Sequence, residues 1–129
     1  MKTCAIIIPA FNADEYIYTC YNSVLKQEKT DGWIYDIRIG VDGCKKTAEA
    51  LTGIKYFYSD KNVGAYIMRN SLMSIEDADA YCYFDADDVM HPAFISECLK
   101  KIEQGNEIVM PAKIQCDKNL IPLKSKAIL

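Results

Sequence analysis

Apolar runs alternate with amphipathic stretches from Cys4 to Met110, and that alternation narrows what this chain can fold into. Cys4 to Pro9 is an unbroken, Ile-rich run, as a strand covered on both faces requires. Asn12 offers a helix cap with Glu15 as its capping-box partner, and Ala13, Ile17, Cys20 and Val24 then share one helical face to about Gln27. Asp31-Gly32 marks a turn, and Trp33 to Val41 reads as a second strand running into Asp42-Gly43. A short helix around Thr47 to Leu51 leads to a third strand, Ile54 to Tyr58. Asn62 or Gly64 opens the next helix, with Ala65, Met68, Leu72 and Ile75 at helical spacing. Ala80 to Phe84 is a fourth strand ending at Asp85. Pro92 suits the first position of a helix that Gly105 stops, and Glu107 to Met110 begins a fifth strand. This β-α-β-α order predicts an α/β domain: a mostly parallel, doubly wound sheet flanked by helices, with right-handed crossovers.

The whole chain, 1–129, reads as one domain, near the modal domain size. Residues 111–129 carry weak signals; Asp117-Lys118-Asn119 suggests a hairpin turn followed by an irregular tail. The net charge of −3 argues against a nucleic-acid partner, which would call for a basic face. No apolar run approaches the roughly 20 residues of a transmembrane segment. The six cysteines are evenly spread, without a Cys-x-x-Cys pair, and read as free thiols in a reducing, cytoplasmic setting. With a single His and no paired cysteines, a zinc site is not expected.

In open α/β sheets, ligands bind beyond the carboxyl ends of the strands. There the sequence places Pro9-Ala10-Phe11-Asn12, Asp42-Gly43, Ser59-Asp60-Lys61-Asn62 and Asp85-Ala86-Asp87-Asp88. Three of four strand ends bring carboxylates to one edge, where they repel one another unless cations or donors satisfy them. The last segment is the sharpest feature. Hard oxygen ligands so closely spaced suit Mg²⁺ or Mn²⁺, which keep positions open for phosphate oxygens. The bland alternative is a strand-to-helix turn rich in Asp, with Asp88 as a cap. In Asn62-Val63-Gly64-Ala65-Tyr66-Ile67-Met68-Arg69-Asn70, a small residue at a helix start lets an anion reach the backbone amides, with Arg69 two turns in. The bland alternative there is a capped helix with a surface arginine.

Four segments together resemble the family-2 glycosyltransferases. Ile6-Ile7-Ile8-Pro9-Ala10-Phe11-Asn12 resembles their opening strand, and Val41-Asp42-Gly43-Cys44 their Asp-Asp-Gly-Ser turn. Asn62 to Asn70 resembles their Asn-x-Gly-x-x-x-Ala-Arg-Asn helix, with Met68 in place of Ala. Phe84-Asp85-Ala86-Asp87-Asp88, followed by Pro92, resembles their Asp-x-Asp-Asp segment. The order and spacing also match, and the resemblance covers about residues 3 to 117.

The resemblance implies a Rossmann-like GT-A fold that binds a nucleotide-sugar donor, of UDP type, with Mn²⁺ or Mg²⁺, and an inverting glycosyl transfer. Pro9, Ala10 and Phe11 would line the base and ribose pocket. Asp42 would accept a hydrogen bond from the base. Asn62, Gly64 and Arg69 would support the donor. Asp85 would contact ribose or sugar and join Asp87 at the metal. Val41 stands where the family's turn has its first acidic residue, and Cys44 where it has Ser.

Family members carry their acceptor-binding half and catalytic base after the metal motif. Beyond Asp88 this sequence holds one Asp, Asp117, and no Glu-Asp pair, so no residue is assigned as the base. The chain is accordingly expected to be a truncated transferase, a subunit completed by another chain, or a donor-binding module without transferase activity. Its acceptor is unassigned: saccharide, lipid-linked or protein. An uncovered acceptor-side edge would favour homo-oligomers.

Two other classes fit less well. A phospho-acceptor receiver domain needs an acidic pair after strand one, where Pro9 to Asn12 has none. A haloacid-dehalogenase-type phosphatase carries its Asp-x-Asp-x-Val on the first strand, whereas Asp85 to Val89 follows the fourth. His91, Trp33 and Lys100-Lys101 read as a helix-start residue, a packing residue and a solvated helix face.

Overall fold

The structure is a computed structural model that describes residues 1–123. Four parallel strands form one sheet: β1 (Lys2–Ala10), β2 (Trp33–Asp42), β3 (Phe57–Ser59) and β4 (Ala80–Tyr83), in the order β3-β2-β1-β4. Between and after them lie helices α1 (Ile17–Leu25), α2 (Lys45–Ala50), α3 (Ala65–Met73) and α4 (Phe94–Glu103). The α/β, mostly parallel fold expected from the alternation is the fold observed.

Handedness explains where the helices sit. The chain steps from β1 to β2 to β3 in one direction, then returns past β1 to β4. Right-handed crossovers therefore place α1 and α2 on one face and α3 on the other. Two buried clusters record this. On one face, Cys4, Ile6, Ile8 and Ala10 pack with Ile17, Cys20 and Val24 of α1, Leu51 after α2, and Ile95 and Leu99 of α4. On the other, Ala5 and Ile7 meet Met68 and Leu72 of α3. The period-two alternation of a strand thus feeds both layers from one apolar run. Each fully buried Ile contributes on the order of 1.5–3 kcal/mol.

Register fixes the ligand edge. Ala10 pairs with Val41, Asp42 with Ser59, and Ile7 with Tyr83, so β1, β2 and β3 end almost level, and β4 runs into Asp85 beside the end of β1. Since the chain leaves β1 for β2 on one side and returns to β4 on the other, the crevice between β1 and β4 is the topological switch point.

Several local expectations fail for identifiable reasons. Asn12 does not cap α1, and the capping box with Glu15 does not form. Asn12 adopts φ 49°, and α1 begins at Ile17 with Tyr16 as a cap that makes no side-chain bond. Long-range partners win instead. The Cys44 thiol donates to Asn12 Oδ1 at 3.5 Å, and Ala13 N–H donates to Thr47 Oγ1 at 3.1 Å. Pro92 lies before α4 rather than at its first position. One amide of its first turn is satisfied from the segment after α1, with Ile95 N–H donating to the buried Gln27 Oε1 at 2.9 Å. Strand three is later and shorter than Ile54 to Tyr58. Ile75 falls beyond α3 and is exposed. Glu107 to Met110 forms no strand; Ile108 and Met110 stand exposed, and among the described residues no strand pairs with them. The expected turn at Asp117 is present: Asp117 Oδ1 accepts N–H from Asn119 and Ile121, and Cys116 bridges Pro122 antiparallel. The remainder of the expected tail, 124–129, lies outside the described residues.

All six cysteines are free, as expected. Among the described residues, no helix is long and apolar enough to cross a membrane.

Candidate functional site

The expected residues lie towards the carboxyl edge of the sheet, those that follow β1 and β4 beside the switch-point crevice. β1 delivers Pro9, buried Ala10 and exposed Phe11. On the other side, Phe84 N–H donates to Ile7 O at 3.0 Å, holding the chain against β1 until Asp85 leaves the sheet. Buried Ala86 and Met90 anchor the Asp85–Asp88 loop to the core, leaving Asp85 and Asp87 exposed and Asp88 half-buried. The Cys20 thiol donates to the Asp85 carbonyl at 3.5 Å, and Met90 N–H donates to Ser23 Oγ at 3.0 Å, so α1 fastens both ends of this loop.

One carboxylate oxygen from each of Asp85, Asp87 and Asp88 falls within 4.8 Å of the others. Oxygens sharing an octahedral Mg²⁺ or Mn²⁺ sit about 3 to 4.3 Å apart, so the cluster fits one such ion after a small side-chain adjustment. The mutual repulsion is evident at Asp88. Its carboxyl is held above the ordinary value first by burial, then by Asp87 and Asp85, with Lys113 partly offsetting them. The Cys20 thiol beneath the cluster is pushed up to about 12, mainly by burial and further by Asp88, Asp87 and Asp85.

Arg69 reaches this cluster from α3. Its Nη2 lies 3.2 Å from Asp85 Oδ1, while its Nε is buried without a partner among the described residues. The arginine thus offsets one carboxylate and retains donor capacity for an anion. Asn62 and Gly64 stand at the start of α3, where Gly64 (φ 88°) opens the helix. Asn62 Oδ1 accepts Gly64 N–H at 3.1 Å.

Asp42 is placed differently from the others. It is 3% exposed, and both carboxylate oxygens are engaged: Val63 N–H donates to Oδ1 at 2.7 Å and Gly64 N–H to Oδ2 at 2.9 Å. Val41 beside it is fully buried. The structure therefore brings Arg69, Asp85, Asp87 and Asp88 together, and separately ties Asp42 to the residues that open α3. Sequence reasoning missed the Cys20 and Ser23 ties, whose partners lie more than 60 residues away and leave no local signal.

Comparison with known proteins bears on this geometry. Residues 5–126 match the family described as Glycosyl transferase family 2. The chain is 27% identical over 117 residues to the Teichoic acid poly(glycerol phosphate) polymerase of Staphylococcus epidermidis, covering 86% of this chain and 16% of that protein. It is also 27% identical over 123 residues to the Poly(ribitol-phosphate) beta-N-acetylglucosaminyltransferase TarP of Staphylococcus aureus, covering 88% of this chain and 37% of that one. The chain therefore spans well under half the length of either relative. Among solved structures, S. aureus TarS 1-349 in complex with UDP superposes with a TM-score of 0.66 at 20% identity, covering 81% of this chain and 32% of that chain. The same TarS region in complex with UDP-GlcNAc gives 0.66 at 19% identity, with the same coverage. These likenesses establish the Rossmann-like GT-A fold, and the family match covers nearly every residue of the sheet and its carboxyl edge. The chain belongs to glycosyl transferase family 2.

Proposed function

We propose that this chain binds a UDP-type sugar donor at the crevice between β1 and β4 and serves an inverting glycosyl transfer with a divalent cation. The observation that carries the proposal is the convergence of Asp85, Asp87 and Asp88 with Arg69 at the switch-point edge. An acidic cluster with an adjoining arginine suits a diphosphate: the carboxylates take a cation and the guanidinium takes phosphate oxygens. The TarS complexes with UDP and UDP-GlcNAc support the donor class. In this reading Pro9, Ala10 and Phe11 line the base and ribose, Asn62 and Gly64 shape the donor pocket, and Arg69 pairs with the diphosphate. Asp85 and Asp87 would hold Mn²⁺ or Mg²⁺, with Asp85 also facing ribose or sugar. When bound, the cation supplies Lewis-acid neutralisation of charge on the departing nucleoside diphosphate.

Calorimetric titration with UDP tests this reading. Affinity is expected to rise with Mn²⁺ and to be lost in Asp87→Ala; equal UDP affinity with and without metal overturns the metal role. Release of free sugar from UDP-sugars, in the presence and absence of candidate acceptors, separates a transferase from a donor-binding module.

A further inference from the structure

We infer that Ser23 and Gln27, on and just after α1, are positioning residues that hold the Asp85–Asp88 loop closed, so that a divalent cation meets carboxylates already gathered. The inference rests on the proposed metal site and deepens it by naming what keeps that site in shape.

The loop needs holding. Residues 84–93, between β4 and α4, form neither helix nor strand, so no ladder of their own fixes their backbone. Within them Asp85, Asp87 and Asp88 each bring a carboxylate oxygen within 4.8 Å of the others. Like charges at that range favour a loop that spreads. Arg69 offsets only the Asp85 carboxylate.

The restraint comes from α1 and the residues that follow it. Cys20, Ser23 and Gln27 are spaced three and four residues apart, and all of them reach the 85–95 segment. The Ser23 hydroxyl works in both directions: it donates to Cys20 O at 2.6 Å and accepts Met90 N–H at 3.0 Å. Gln27 is buried, and its amide is used at both ends. Nε2 donates to His91 O at 2.7 Å, and Oε1 accepts Ile95 N–H at 2.9 Å. One side-chain amide thus joins the exit of the loop to the first turn of α4. The Glu28 backbone N–H adds a bond to Pro92 O at 2.9 Å.

These ties are all made to loop backbone, so none of them occupies a carboxylate oxygen. They also bracket the cluster. The longer Cys20 contact falls on Asp85 O, and the Ser23 bond falls on the Met90 amide just past Asp88. Between those points Asp88 N–H donates to Asp85 O at 3.1 Å, and Ala86 and Met90 are buried. With the backbone set in this way, side-chain torsions are what an arriving ion has left to order, and preorganisation of that kind is worth affinity.

Calorimetric titration of the 129-residue chain with Mn²⁺, without nucleotide, tests the inference beside amide exchange measured by NMR without any ion. In Ser23→Ala, and in Gln27→Met, which removes both donor and acceptor, Mn²⁺ affinity is expected to fall about three- to tenfold, the worth of a hydrogen bond. The Met90 amide in the first variant and the Ile95 amide in the second are expected to exchange faster, while β1 amides stay protected. Ser23→Thr keeps the hydroxyl and is expected to bind Mn²⁺ as the wild type does; a loss as large as in Ser23→Ala overturns the role of the hydroxyl. Val24→Ala removes buried methyls from the same helix without touching a polar tie. It is expected to lower the urea midpoint and leave Mn²⁺ affinity unchanged. Wild-type Mn²⁺ affinity in both Ser23→Ala and Gln27→Met overturns the inference. So does an equal loss in Val24→Ala, which would make general loosening the cause. Should Gln27→Met fail to fold, Ser23→Ala, at a half-buried position, decides the matter alone. If the wild-type chain binds no Mn²⁺, the metal reading fails; exchange at Met90 in Ser23→Ala then still decides whether α1 holds the loop, and unchanged exchange overturns it.

Discussion

Arg69 Nη2 donates to Asp85 Oδ1 at 3.2 Å, so the single guanidinium at the acidic cluster already competes for a carboxylate that a metal would use. The pair is partly exposed, and ion pairs of that kind are worth about 0.2–1 kcal/mol. Removing the arginine in Arg69→Ala is therefore expected to raise Mn²⁺ affinity in the absence of nucleotide by about two- to fivefold. It is expected to lower UDP affinity about tenfold or more, because a charge-assisted contact to phosphate is lost. Opposite signs for the two ligands, read by calorimetry, are the signature. A parallel fall in both would mean that Arg69 merely holds the loop.

Gly43→Ala tests how tightly the α3 start is seated. The added methyl would meet backbone atoms, which cannot swing aside, at a φ of 65° that L side chains rarely adopt. A loss of about 1–3 kcal/mol in urea unfolding is expected, together with weaker UDP binding. Gly40→Ala is the instructive contrast. Its Cβ would meet the Met68 and Leu72 side chains. Met68 can rotate away, so the cost is expected to be smaller and UDP binding closer to wild type. Equal costs at the two glycines would refute the distinction between backbone and side-chain obstruction.

Much of this architecture is legible in the sequence because one physical signal dominates it. Cys4 to Pro9 is too apolar to be anything but doubly covered, and the period on which Ile17, Cys20 and Val24 recur is a helix's. The Asp-x-Asp-Asp segment is legible on similar grounds, since three carboxylates directly after a buried strand repel one another unless a cation or donor meets them. The failures share a cause as well. Asn12 and Glu15 have the right spacing for a capping box, yet Cys44 and Thr47, over 30 residues away, claim Asn12 and the Ala13 amide. The two amides that donate to Asp42, of Val63 and Gly64, likewise lie over 20 residues away and leave no local signal. Local pattern shows which groups could bond; tertiary contact decides which do.

Arg38 was invisible in the sequence, lying inside β2 as an ordinary charged residue. It is 2% exposed, pairs with Asp36 at 2.9 Å, and donates to the Leu72 carbonyl at 2.9 Å near the end of α3. Its Nη2 has no partner among the described residues. Asp36→Ala would leave a buried guanidinium without that counter-ion. Breaking a fully buried pair costs roughly 3–5 kcal/mol; because the Asp36 side chain is 44% exposed, a loss of about 2 kcal/mol is expected here. Adding Arg38→Met should recover part of it by removing the stranded charge. A double variant as unstable as the sum of the singles would show that the two residues do not act as a pair.

The buried thiols give the fold an alkaline limit. Burial, the leading cause at each, raises Cys4 to about 11 and Cys20 and Cys82 to about 12, from an ordinary value of 9.0. A folded value above the unfolded one means that the native state holds its protons while the unfolded chain gives them up. The resulting stability is complete below pH 9, falls as pH rises above it, and is gone once pH passes the folded values. Urea midpoints are therefore expected to hold steady from pH 7 to about 8.5 and to drop steeply between about pH 9 and 12. Cys20→Ala should lessen the slope of that drop, although its cavity lowers stability at neutral pH. Thiol alkylation at pH 8 supplies the kinetic counterpart. Exposed Cys116 should react readily, while buried Cys4 and Cys20 stay protected until the protein unfolds. Rapid labelling of Cys4 or Cys20 in the native state would show that the face of the sheet covered by α1 and α4 opens far more often than its packing implies.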